Sequence, residues 1–75
     1  MQKWEYLFLT AEKAEGVWLP RFVNGEELEG WLEGPSLYEF SNQLGDEGWE
    51  LVNITWQAKE HLTHHRLVFK RPIEE

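Results

Sequence analysis

The chain has 75 residues, enough for one small domain over 1–75 and too few for two independent cores. Hydrophobic residues make up 41% and aromatic residues 15%, including five Trp, and this composition excludes a disordered segment. Cys is absent, which excludes disulfides, thiolate metal sites and a Cys nucleophile. The net charge of −7 disfavours phosphate backbones and anionic lipid surfaces, so we expect no nucleic-acid or membrane partner.

The N-terminus has no basic stretch leading into an apolar run, and no apolar run reaches the roughly 18 residues of a membrane span. We therefore expect a cytoplasmic protein. A domain of this size buries only about 60% of the surface that its unfolded chain exposes, which makes self-association an option from the start.

The first predicted element is a strand over residues 3–10. Its side chains alternate with a period of two, which puts Leu7 and Leu9 on one face and Trp4, Tyr6 and Phe8 on the other. Because both sets are apolar, we expect both faces of this strand to be covered.

Residues 11–16 are polar and predict a connection to a second strand over 17–23. Pro20 has no N–H to give to a ladder, so this strand should lie at a sheet edge or carry a bulge. Asn24-Gly25 predicts a tight hairpin turn, and the acidic return arm over 26–31 is either a short edge strand or a loop.

A helix is predicted to begin after Ser36, whose hydroxyl can cap the N–H of Glu39. Gly48 offers the left-handed residue that ends a helix, and we expect Gly45 to permit close approach of the helix to the sheet. The apolar stripe of this helix consists of Leu37, Phe40 and Leu44.

Two further strands are predicted over 49–56 and 64–71, joined by a turn over 57–63, and Pro72 ends the second. Alternation in the first of them predicts Trp49 and Leu51 on one face and Val52, Ile54 and Trp56 on the other.

These elements predict an α+β fold, a small, largely antiparallel sheet of three to four strands with one helix packed on one face. One helix covers only one face of such a sheet, so the second apolar face needs another cover. The candidates are the loop that carries Trp18 and Trp31, a second copy of the chain, or a ligand.

The chain contains few residues that could act as a nucleophile, acid or base in catalysis, and we expect no enzymatic activity and no cofactor. A Ser-His-Asp triad would need Ser36 or Ser41 with Asp46, yet Ser36 is a helix cap and no nucleophile-elbow sequence surrounds either serine. Three histidines, His61, His64 and His65, fall in one short segment. Only two of them share a face of an extended chain, so we expect no metal site.

Charge is unevenly distributed along the chain. Residues 12–50 carry ten acids and two bases, whereas 57–72 carry four bases and one acid. This asymmetry fits the acidic part of one subunit meeting the basic part of another, a small basic surface for an anionic ligand, or a solvated surface without a partner. Aromatic and Arg side chains could hold such a ligand, and the candidates are Trp18, Trp31, Trp56, Arg66 and Arg71. For Trp18 and Trp31, burial against the sheet and a partner interface are equally compatible with the sequence.

Three sequence motifs, spread over nearly the whole chain, form a family pattern. They are Lys3-Trp4-Glu5-Tyr6, the run from Leu44 to Val52 that contains Gly-Trp-Glu-Leu-Val, and Phe69-Lys70-Arg71-Pro72. In these motifs the chain resembles the small bacterial and phage domain-of-unknown-function family 4177. The resemblance implies a compact helix-on-sheet domain and brings no catalytic residues. The acidic region with Trp18 and Trp31 is less typical of the family.

The functional prediction is a non-catalytic binding or interaction module that associates with itself. The alternative is a soluble, phage-encoded protein that binds or sequesters a small anionic or nucleotide-like ligand.

Overall fold

The computed structural model describes residues 1–59 and 62–74, and the side chains among them outside 57–63. The described residues form one antiparallel sheet in the order β3-β2-β1-β5-β4. Its strands are β1 Trp4–Ala14, β2 Val17–Val23, β3 Glu26–Glu27, β4 Glu50–Lys59 and β5 Leu62–Pro72. A short 3-10 helix, Trp31–Glu33, and the α-helix α1, Leu37–Asp46, connect β3 to β4. The α+β prediction is confirmed, but the predicted three to four strands are too few, because the sheet has five.

The first hairpin is longer than the sequence predicts. The connection expected over 11–16 is wrong, since β1 continues to Ala14 and the turn consists of Glu15 and Gly16 alone, both at positive φ. Ala11 is completely buried with Pro20 and His65 as its cross-strand partners, so this polar stretch contributes a core position. The turn at Asn24-Gly25 is confirmed, with φ of 52° and 83°.

Pro20 lies next to a β-bulge, one of the two features that its missing N–H predicts. Thr10 pairs with Phe22 and Ala11 with Pro20, so Arg21 is an extra residue that forms a bulge in β2. On its outer side, β2 is bordered only by the two residues of β3.

Local capping interactions define both ends of α1. Ser36 Oγ accepts a hydrogen bond of 3.2 Å from the N–H of Glu39, as the sequence predicts. At the other end Gly48 has a φ of 92°, and the Trp49 N–H bonds the Leu44 carbonyl at 2.9 Å. This is the geometry of a Schellman C-cap.

The core lies between α1 and the face of the sheet formed mainly by β1 and β5. Its buried members are Leu7, Leu9, Ala11, Leu37, Leu44, Leu67 and Phe69, with Phe40 half-buried beside them. The predicted role of Gly45 is wrong, because a Cβ there would meet nothing within 4 Å and the sheet does not approach it. Among the described residues, no helix has the length and apolarity that crossing a membrane requires.

A second bulge, in β4, changes which side chains of this strand point to the α1 face. Leu51 pairs with Phe69 and Asn53 with Val68, which leaves Val52 as the extra residue. After the bulge, Ile54 pairs with Leu67, so Leu51, Ile54 and Trp56 all point to the face that α1 covers. The predicted placement of Leu51 opposite Ile54 and Trp56 is therefore wrong. The turn predicted over 57–63 is also too long, because β4 extends to Lys59 and β5 starts at Leu62.

Candidate interaction surfaces

The face of the sheet opposite α1 presents exposed aromatic side chains along the central strand β1. We call it the open face and define it by Trp4, Tyr6, Phe8 and Thr10 of β1 with Arg66, Val68 and Lys70 of β5, which the strand register places side by side. Trp4 is 39% exposed, Tyr6 52% and Phe8 57%, although β1 lies in the middle of the sheet. The expected cover over both faces of this strand is missing in the single chain.

Two cations border the aromatic rings of the open face. Lys70 is the cross-strand partner of Tyr6, and its Nζ lies 4.3 Å from the centroid of the Trp4 ring. Arg66 is the partner of Thr10 and is exposed. Within the described part of the chain it makes no hydrogen bond or ion pair. The open face therefore combines aromatic rings with an available guanidinium group.

Arg71 lies away from these rings and connects three elements. Its Nε donates to the Glu5 carboxylate, its Nη1 donates to the Glu47 carbonyl at 3.0 Å, and its guanidinium lies 4.3 Å from the Trp49 ring centroid. It also lines a surface cleft of 410 Å³ whose other charged residues are Glu5, Glu47 and Glu74. Three carboxylates against one paired Arg make this cleft unsuited to an anion.

Trp31 and Arg21 form a cluster at the β2–β3 edge. The Arg21 guanidinium lies 4.7 Å from the Trp31 ring centroid and forms ion pairs of 2.8 Å with both Glu12 and Glu27. Hydrogen bonds from Arg21 to Glu27 and then Glu12 raise the pKa of its guanidinium above the ordinary value. This base is fully occupied within the chain, so the cluster holds the edge together and does not present a free cation.

Trp18 lies on the α1 side of the sheet, partly buried against the core. Its ring centroid is 4.0 Å from that of His65, and the two rings are tilted by 54°. His65 Nδ1 is buried and has no hydrogen-bond partner among the described residues. In the structure, Trp18 therefore takes part in core packing.

Trp56 belongs to a second exposed apolar surface. Leu51, Ile54 and Trp56 of β4 share the α1 face, yet they are 48%, 48% and 61% exposed. They form a strip beside the helix, which we call the β4 strip. The helix packs over β2, β1 and β5 and does not extend across the outer strand β4.

The structure thus distributes the five predicted ligand-binding residues over separate places. Trp18 lies on the α1 side, Trp31 at the β2–β3 edge, Trp56 in the β4 strip, Arg66 on the open face and Arg71 at the Glu5 cleft. Sequence reasoning did not include Tyr6 and Phe8 among the candidate binding residues, because it expected both faces of β1 to be covered. The argument that one helix leaves one apolar face of the sheet without a cover already pointed to this face, but not to these two side chains.

The predicted absence of a metal site falls partly outside the described residues, since His61 is not among them. Residues 1–59 and 62–74 contain no group of three or more His, Asp or Glu side chains that could hold a metal ion. His64 and His65 lie on opposite faces of β5, as their partners Glu12 and Ala11 show.

In comparisons with protein-family models, curated proteins and solved structures, nothing matches this chain. The resemblance to family 4177 therefore stays a prediction.

Proposed function

We propose that the chain is a non-catalytic binding module that associates with itself and buries apolar sheet surface in doing so. The observation that carries the proposal is the open face, where a central strand presents Trp4, Tyr6 and Phe8 to solvent at 39–57% exposure. Aromatic residues on a central strand are ordinarily buried, because that is where packing stabilises a sheet most.

The size of the surface supports an interface. Three aromatic side chains of roughly 150–250 Å² each, about half exposed, present on the order of 300 Å² of contiguous apolar surface. Val68 lies directly opposite Phe8 and continues the patch onto β5. The largest apolar patch of a typical monomer has about this size and is often functional, and here it lies on the central strand of the sheet.

The proposal is tested by native mass spectrometry and sedimentation velocity of the intact chain over a concentration series. We expect the wild-type chain to form an oligomer, and Phe8→Ser to weaken it at least about tenfold through the loss of a buried ring. Tyr38→Ser is the matched control, because Tyr38 on α1 is also an exposed aromatic, at 74%, but lies outside the open face. A wild-type chain that stays monomeric at millimolar concentration would overturn the proposal.

A second candidate function is the binding of a small, planar anionic ligand on the open face. The observation in its favour is the exposed Arg66 close to aromatic rings that could stack on the ligand. A nucleotide panel in a thermal-shift assay tests it: the melting temperature should rise with one member of the panel, and Arg66→Ala should abolish the rise. A retained small molecule would also appear as extra mass in the native spectrum.

A further inference from the structure

The two edges of the sheet are protected differently. At the β2 side, Pro20, the bulge at Arg21, the two-residue β3 and the acidic residues that follow all hinder the addition of another strand. At the other side, β4 is ten residues long, contains neither Pro nor Gly, and has β5 as its only neighbour in the described sheet.

The outer edge of β4 is also uncharged over most of its length. Residues 51–58 form the longest run in the chain without Lys, Arg, Asp or Glu. Two copies of a protein with a net charge of −7 repel each other electrostatically. This repulsion is weakest when they meet through a surface that carries no charged side chains. The N–H and C=O groups along this edge have no strand beside them in the described sheet, so they offer a template on which a further strand can add.

We propose that β4 pairs antiparallel with β4 of a second copy, with Thr55 on the two-fold axis, so that two five-stranded sheets become one of ten strands. This inference rests on the proposed self-association and adds to the open face a second contact surface, the outer edge of β4. Pairing about Thr55 uses the ladder after the bulge at Val52, where the strand is regular. An edge interface of this kind is isologous and closes at two subunits.

The register explains the exposed β4 strip. With Thr55 on the axis, Ile54 of each copy lies opposite Trp56 of the other, and this gives two β-branched–aromatic pairs across the interface. A two-fold axis perpendicular to the sheet keeps both α1 helices on the same face. The strips from the two copies then meet between the helices, so side chains that are about half exposed in one chain are covered in the pair.

Cysteine cross-linking tests the register directly, since the wild-type chain has no Cys. Opposed residues of antiparallel strands have Cα atoms about 4.5–5.5 Å apart, within the range that a disulfide spans. We expect Thr55→Cys to form a covalent dimer under mild oxidation. Asn42→Cys, at an exposed position of α1, reports collisional cross-linking and should remain largely reduced.

A second pair of variants tests the same edge without a disulfide. Thr55→Lys puts like charges opposite each other on the axis and should weaken the wild-type association at least about tenfold. Thr55→Val keeps the β-branched shape and should leave it unchanged, and circular dichroism checks that both variants fold. An oligomer that neither cross-links through Thr55→Cys nor dissociates with Thr55→Lys would overturn this inference and leave the proposed self-association standing. A monomeric wild-type chain would overturn both.

Discussion

At the residue scale, Arg71 holds the ends of the sheet to the end of the helix. It contacts β1 through Glu5, the helix C-cap through the Glu47 carbonyl, and the Trp49 ring that precedes β4. The ion pair itself is exposed to solvent, with 35% and 44% of the two side chains accessible, and such pairs contribute little. The hydrogen bond to the carbonyl and the cation–π contact supply most of the stabilisation.

We therefore expect Arg71→Gln to lower the free energy of unfolding by about 1–2 kcal/mol, measured by urea denaturation. Arg66→Gln is the matched control, because Arg66 makes no hydrogen bond or ion pair in the described part of the chain, and its cost should stay within about 0.5 kcal/mol. Equal losses for the two variants would show that Arg71 does not connect these elements.

His65 is a polar group in a place that favours an apolar one. Its Nδ1 is buried without a partner among the described residues, and its ring packs on Trp18. A buried, unsatisfied nitrogen costs about 1–3 kcal/mol, whereas an apolar group of similar shape avoids this cost. We expect His65→Phe to raise the urea midpoint by an amount that corresponds to about 1 kcal/mol. A lower urea midpoint for His65→Phe would mean that the imidazole has a hydrogen-bond partner in solution. His65→Asn keeps a polar group at this position, and we expect it to lower the urea midpoint whether or not the imidazole has such a partner.

At the element scale, α1 and its C-cap contain two glycines whose replacement should have opposite effects. Gly48 has a φ of 92° in the C-cap, and a Cβ there meets nothing within 4 Å, so the cost of Gly48→Ala comes from the backbone alone. Gly45 lies within the helix and is equally free of contacts.

We expect Gly48→Ala to destabilise the chain by about 1 kcal/mol, because a left-handed conformation is unfavourable for Ala. Gly45→Ala should stabilise it by about 0.5–1 kcal/mol, because Ala has the higher helix propensity and restricts the unfolded chain. Thermal melts of the two variants at equal protein concentration give the comparison. Destabilisation by Gly45→Ala would indicate that the sheet or a partner approaches the helix at this residue.

The elements that sequence reasoning predicts well are those decided by local chemistry. The Ser36 cap, the Gly48 stop and the Asn24-Gly25 turn each depend on one or two residues whose conformational preferences hold in any context. The extension of β1 through Ala14 and the bulge at Val52 depend on which strand lies alongside, and no local pattern encodes that. The bulge alone moves Ile54 and Trp56 to the α1 face, and this is why the β4 strip could not be predicted.

At the scale of the whole molecule, the chain has more apolar sheet surface than one helix can cover. The sequence predicts this excess correctly, because alternation in β1 places large side chains on both faces. It does not predict where the excess lies, since the open face and the β4 strip result from the position of α1 over β2, β1 and β5. Edge pairing through β4 leaves the open faces free to stack, so the two surfaces together are compatible with dimers or tetramers and not with odd-numbered rings.

Salt dependence distinguishes association through apolar sheet surface from association through charge. If uncharged surfaces meet, the main electrostatic effect is repulsion between two chains of net charge −7, which salt screens. If instead the acidic region 12–50 of one copy binds the basic region 57–72 of another, salt screens an attraction. We expect the dissociation constant to fall several-fold when NaCl is raised from about 10 mM to about 150 mM, over which the screening length shortens from about 30 Å to about 8 Å.

Sedimentation equilibrium of the wild-type chain at the two salt concentrations provides the measurement. The double substitution Glu29→Gln and Glu33→Gln is the matched control: both residues are exposed and lie outside the proposed interfaces, and the variant has two fewer negative charges. It should associate more tightly than wild type at low salt and equally at high salt, because only the repulsion has changed. A dissociation constant that rises with salt would assign the association to the acidic and basic regions and remove the open face and β4 as its main cause.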